Sequence, residues 1–422
     1  MTTWYLDSVS GSDSNGGTAT NDALASFSQL VTAGYTGGDI AYVKGGGATY
    51  AGYGFQGMNL GNKMITLTGY GVTPGDNCST GVQPPIVHAT DESEALRPCA
   101  GMNVENFSIK SNIDTVWSGV LNIYNNGSHT RNVTVHVEST ASGGQRSNIL
   151  NGAGYRSIYG IRMFMDPGCE VYNSACWSSS GISRVPMFGC VFDFRNLSFS
   201  QTSGVGMIAN YNSTNHGGVR LEGSFMIGNP DETHTGIYHR YDTHTSALMI
   251  KNNVFYNLDI GLDLDTSLAD SASLLSTFDQ KTTIEKNFFV NCRIGILGAD
   301  GIDFPYKIKD NVFYNCTTAQ TSGSFSNVHN NITATQNPID LENYVLNSYG
   351  ESLLHGMYQD GFDTVESSPV RKGVYDTPIK TKFRLTSSGN LSLGTADVGD
   401  TVTVSGRSFQ KISSNPIVWR RV

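Results

Sequence analysis

Asp263 and Asp265 lie two residues apart, and Tyr238 and Arg240 form a matching pair one repeat earlier. Two carboxylates with an arginine and a tyrosine are equipment for cleaving a glycosidic bond. One carboxyl protonates the leaving oxygen and the other activates water, which in an inverting site requires a separation of about 6.5–9.5 Å. An elimination on a uronic acid would instead use carboxylates to hold calcium, beside a base. Asp242 and His244 continue the Arg240 side if the strand runs on. The plainer alternative is that Arg240 and Asp265 form a surface salt bridge, which contributes little. His234, His239 and His244 are evenly spaced at an interval that alternates faces in a strand, so they do not converge on a metal. No cofactor motif is visible, because Gly45-Gly46-Gly47 lacks the lysine and hydroxyl residue of a phosphate loop.

These residues sit in a repeat. Ile250-Lys-Asn-Asn-Val-Phe-Tyr-Asn257 matches Ile284-Glu-Lys-Asn-Phe-Phe-Val-Asn291 and Ile308-Lys-Asp-Asn-Val-Phe-Tyr-Asn315. Asn253, Asn287 and Asn311 then align, as do Phe255, Phe289 and Phe313. Asn106, Asn132 and Asn196 echo them earlier. A glycine followed by an apolar residue recurs at Gly160, Gly181, Gly204, Gly236, Gly261 and Gly295, at intervals of 21, 23, 32, 25 and 34 residues. Short β-branched and aromatic runs broken by Gly and Asn read as strands and turns. A unit of this size cannot bury its own apolar face, whereas stacked units can. Asparagines at one turn of successive coils can bond side chain to side chain. The pattern predicts a β-solenoid over residues 60–345. If the residue after each glycine points inward, two outward rows follow. One is Arg162, Ser183, Gly206, Tyr238, Asp263 and Leu297. The other is Phe164, Val185, Ile208, Arg240, Asp265 and Ala299.

The N-terminal residues narrow the fold. Trp4-Tyr5-Leu6-Asp7, then Gly11-Ser12-Asp13-Ser14-Asn15-Gly16-Gly17, an amphipathic stretch over 23–33, and Gly38-Asp39-Ile40-Ala41-Tyr42-Val43-Lys44-Gly45 lead to Ile65-Thr-Leu-Thr-Gly-Tyr-Gly71. This series resembles the opening of right-handed parallel β-helix proteins of the pectate-lyase-like superfamily, including those of tailed-phage virions. The resemblance implies an all-β, single-stranded β-helix with an N-terminal capping helix. The chain then divides into a strand and cap at 1–60, the β-helix at 61–370 and, where the pattern changes to alternating strands, a small C-terminal β region at 371–422. The strands of that last region are expected at 382–386, 401–405 and 416–420. For function the resemblance is broad, because this fold carries lyases, hydrolases, adhesins and virion proteins. The Asp-Asp, Gly-His-Gly and Arg-Ile-Lys signatures of its pectin-acting members are not visible.

Composition points the same way. Charged residues are 15% of the chain, low for a globular protein, and glycine accounts for 48 of 422 residues. A net charge of −9 argues against nucleic acid or an anionic membrane as partner. The seven cysteines are odd in number and form no CxxC, which fits reduced thiols rather than a disulfide framework or a zinc site. No secretory signal is visible at Met1, so the chain is expected to be made inside a cell. The resemblance to phage β-helix proteins implies a virion assembled in the host cytoplasm. The expectation is a structural virion protein: a capsid decoration, tail or spike component with capsid or tail partners, without evident catalysis and possible as a homotrimer. The alternatives are a polysaccharide-degrading enzyme and a glycan-binding adhesin that contacts cell-surface polysaccharide.

Overall fold

A computed structural model describes residues 1–335, except 90–94, 113–119, 124–128, 139–144, 147–149, 153–156, 180–184, 200–205, 213–218, 242–247, 266–282, 299–305 and a few shorter stretches. It also describes 401–421, except 405–406 and 415–416. The chain is a parallel β-helix with three faces. A 21-stranded sheet supplies two of them and a 10-stranded sheet the third. The first two faces are joined through Met102–Ser111 and His129–Val137, strands long enough to belong to both. Every pairing in these sheets is parallel, each strand lying on its counterpart from the previous coil.

One backbone conformation turns the chain from the first face to the second. Asn106, Asn132, Gly160, Gly189, Gly223, Asn252, Lys286, Asp310 and Asn330 occupy this corner in successive coils, all with φ between 50° and 63°. This left-handed region suits Gly and Asn. After the second face, Asn257, Asn291 and Asn315 repeat the device with φ of 50–54°.

The interior is filled by the inward residues of all three faces. Phe255, Phe289 and Phe313 stack with centroids 4.9 and 5.0 Å apart and planes within 9°. This stack explains the recurrent glycine. A Cβ on Gly236, Gly261 or Gly295 would meet the next coil's backbone carbonyl at 2.5–2.6 Å, and a ring of this stack at 2.5–3.1 Å. The expected asparagine ladder is present, with Asn253, Asn287 and Asn311 fully buried. Nδ2 of Asn253 donates to Oδ1 of Asn287 (3.0 Å), that of Asn287 to Asn311 (3.0 Å), and that of Asn311 to Asn331 (3.2 Å). Each backbone N–H donates to the same acceptor.

The glycine register does not extend to the earlier coils as the sequence suggested. Gly160 is a first-corner residue between Ser157–Tyr159 and Arg162–Met165, not a counterpart of Gly261. Both places favour glycine, one for its φ and the other for its missing Cβ. Asn196 likewise leaves the ladder, being exposed beyond the second face with Nδ2 donating to Met165 O.

The N-terminal strand Thr3–Leu6 pairs with Ile40–Lys44 as the first rung of the first face. Between them lies a helix at Phe27–Thr32, shorter than the 23–33 stretch, with Ser26 Oγ accepting from the Gln29 amide. Its Phe27 packs against Tyr50, Tyr53 and Phe55. Asp7 and Asp39 tie this region together. Asp7 accepts from Lys44 Nζ (2.7 Å), Ser10 Oγ and the amides of Val9 and Ser10. Asp39 accepts from the Trp4 indole (3.0 Å) and the Thr2 amide (2.6 Å). At the C-terminus, Thr401–Val404, Arg407–Ser414 and Ile417–Arg421 form an antiparallel sheet. The strand expected at 382–386 lies outside the described residues.

Candidate functional site

On the third face, Thr235–Tyr241 and Ile260–Asp265 are adjacent parallel strands. Ile237, His239, Leu262 and Leu264 are buried in the core. Alternation therefore turns positions 238 and 263 to the other face of the sheet. The register pairs Tyr238 with Asp263 and Arg240 with Asp265, as the sequence reading required. Positions 263 and 265 are about 6.6 Å apart along the strand. Asp263 is half-buried and Tyr238 is only 5% exposed, so that tyrosine is not an open platform. Asp242 and His244 lie outside the described residues.

The outward rows extend differently from the expectation. Tyr238, Asp263 and Leu297 do share a row. Before them it runs through Ala209, Trp177 and Asn151 rather than Gly206, Ser183 and Arg162. Arg162 and Phe164 belong to the second face and Val185 to the first. Ile208 pairs with inward Ile237, so it joins the core rather than the Arg240 row. Position 211 precedes 240 instead. Ser183 and Ala299 lie outside the described residues. These errors follow from the misplaced Gly160 register.

The histidines of this region are structural. His239 is fully buried, and burial depresses its pKa to about 3, which keeps the ring neutral. His234 is also buried, with its pKa lowered by desolvation. Its Nε2 donates to Leu197 O (2.8 Å) and its Nδ1 accepts from the Asn229 amide (3.2 Å). Among the described residues, no group of three or more His, Cys, Asp or Glu could hold a metal ion.

A second polar cluster was missed by the sequence reading. On the second face, His88, Lys110, His136 and Phe164 stand in one outward row. His88 Nε2 bonds Glu138 Oε2 at 2.7 Å, and Lys110 Nζ is 3.9 Å from Glu138 Oε1. His136 Nε2 bonds Asp166 Oδ1 at 2.8 Å, and its ring stacks on Phe164 with centroids 4.5 Å apart. The only signal was the coil spacing, hidden while the early register was misplaced. These are imidazole–carboxylate couples able to relay a proton, without a nucleophile in the described cluster.

The first face carries aromatic residues outside as well. Tyr159 and Phe188 stack at 5.1 Å, with Arg131 over the former and Arg220 over the latter. Both ring faces are thus occupied within the molecule, which removes them as surfaces for a sugar ring. Further along, the row alternates Glu222, Lys251, Glu285 and Lys309, with Lys251 Nζ 2.7 Å from Glu285 Oε1.

No protein-family model matches the chain. No curated protein matches it either. Among solved structures, it is similar to the family 136 glycoside hydrolase lacto-N-biosidase of Eubacterium ramulus, with 10% identity, a TM-score of 0.40 and coverage of 78% of this chain. The match spans 65% of the biosidase chain. A rhamnogalacturonan lyase shows 11% identity and a TM-score of 0.34, covering 78% of this chain and 85% of that one. Pectin methylesterase of Aspergillus niger shows 9% identity and a TM-score of 0.28, covering 79% and 90%. At such identities and TM-scores, the likeness assigns none of these activities to the present chain.

Proposed function

We propose that the protein is a structural component of a tailed-phage virion, a capsid decoration, tail or spike element that uses the β-helix as a rigid scaffold. One observation carries this reading: charged residues on its outer surface pair between its own coils. Glu138 bonds His88 two coils away, Lys251 bonds Glu285, and Asp259 holds Arg293 through two bonds of 2.5 and 2.8 Å. Such pairs contribute little stability singly. Repeated along a solenoid they fix coil against coil. The virion setting rests on the resemblance of the N-terminal segment. It implies capsid or tail proteins as partners, with self-association as a homotrimer part of the same proposal. Gradient-purified virions should contain the chain at a fixed copy number after a high-salt wash. Its absence from virions would overturn the assignment.

A second reading is polysaccharide cleavage, favoured by the register of the third face. Asp263 and Asp265 are two residues apart on one strand, and a pair of carboxylates is what an inverting site requires. Tyr238 and Arg240 lie one coil away. Loss of turnover on a capsular polysaccharide in both Asp263→Asn and Asp265→Asn would establish this reading over the first.

A further inference from the structure

Cys292 and Cys316 occupy the same place in successive coils. Val290 pairs with Tyr314 just before them, and Ile294 with Thr318 just after. The stack is pinned on both sides. The Asn291 amide donates to Tyr314 O (3.0 Å), Thr318 N donates to Arg293 O (2.9 Å), and Asn315 Nδ2 donates to Asn291 Oδ1 (3.0 Å). In-register neighbours of a parallel ladder are about 4.8 Å apart. That lies within the Cα separation of about 4.4–6.8 Å that a disulfide spans.

Both thiols are reduced. Cys292 Sγ bonds Phe255 O (3.6 Å) and Val290 O (3.7 Å), and Cys316 Sγ bonds Phe289 O (3.4 Å) and Tyr314 O (3.5 Å). One coil earlier the same position holds Leu258, 2% exposed, so packing here does not require sulfur. The two sites differ in access. Cys292 is 1% exposed, whereas Cys316 is half-buried.

We propose that Cys292 and Cys316 are a redox pair that closes to a disulfide stapling these two coils, with a low-molecular-weight disulfide such as oxidised glutathione as oxidant. Cys316 attacks first. Its thiolate displaces one glutathione thiolate, which takes up a proton, and leaves glutathione bonded to Cys316. The Cys292 thiol then loses its proton and attacks the Cys316 sulfur, releasing the second glutathione. Two protein thiols are oxidised and one glutathione disulfide is reduced to two thiols. The order agrees with the electrostatics. A bond from the Cys292 thiol lowers the Cys316 pKa, whereas burial raises that of Cys292. Thiolate supply and access govern which sulfur attacks.

The test incubates the folded, full-length protein with oxidised glutathione, blocks remaining thiols in denaturant and maps the peptides. The expected product is a Cys292–Cys316 cross-link, about 2 Da lighter than the reduced pair and reversed by dithiothreitol. In Cys292→Ala, glutathione should remain on Cys316. In Cys316→Ala, Cys292 should stay unmodified. Glutathione stable on wild-type Cys316 without the cross-link would overturn the proposal. So would a folded protein that stays unmodified under conditions that oxidise the unfolded chain.

Discussion

The coils from Met249 to Ala334 and those from Met102 to Asp193 have the same faces and the same left-handed corner, but different material beside it. In the later coils the residue after the corner is asparagine each time, and its amide bonds the next asparagine identically. In the earlier coils a buried polar ladder of unlike members runs through the corner. Asn106 Nδ2 donates to Thr68 Oγ1, Asn132 Nδ2 to Asn106 Oδ1, and Arg162 Nη2 to Asn132 Oδ1. The corner conformation is therefore the requirement, and the polar ladder is one of several ways to satisfy the groups it buries.

This comparison can be broken by substitution. Asn287→Ala removes the acceptor used by both the Asn253 amide and its Nδ2, and the donor to Ile250 O and Asn311 Oδ1. Leaving buried groups unsatisfied costs about 1–3 kcal/mol each, so a loss of about 3 kcal/mol in urea unfolding is expected. Asn132→Ala, in the mixed ladder, should lose less. The reverse order would show that the uniform ladder is not the stronger of the two.

Gly261→Ala should come next, at about 2 kcal/mol, because its Cβ would meet Gly295 O and the Phe289 ring at 2.6 Å. Gly57→Ala, with no atom within 4 Å of the new Cβ, should stay within about 0.5 kcal/mol. Equal losses would mean that the close approach has relaxed.

The N-terminal rung should add a smaller, pH-dependent effect. Burial raises the Asp7 pKa, but Lys44, Ser10 and the Val9 and Ser10 amides outweigh it and bring it down to about 2. A depressed folded pKa gives stability that is complete above the unfolded value of 3.8 and fades as pH falls towards about 2. Thermal melts of wild type and Asp7→Asn should therefore converge across that window. A constant difference would remove Asp7 from the acid response.

How much was legible in the sequence follows the same division. Identical asparagines just after the first corner and at the second made the later coils readable, including the Tyr238–Asp263 and Arg240–Asp265 register. The earlier coils mix Asn and Gly at the corner, and glycine serves two unrelated purposes. Gly160 was therefore aligned with Gly261, and the His88–Glu138 and His136–Asp166 couples stayed hidden. Exposure was not legible either: alternation puts Tyr238 outside, yet it is buried.

We propose that this solenoid acts as a scaffold rather than a catalyst. The most direct test is incubation of the purified protein with capsular and pectic polysaccharides, measuring new reducing ends and the absorbance of unsaturated products. The scaffold account predicts no product above the buffer control, with wild type and Asp263→Asn indistinguishable. Product formation by wild type that disappears in Asp263→Asn would contradict it.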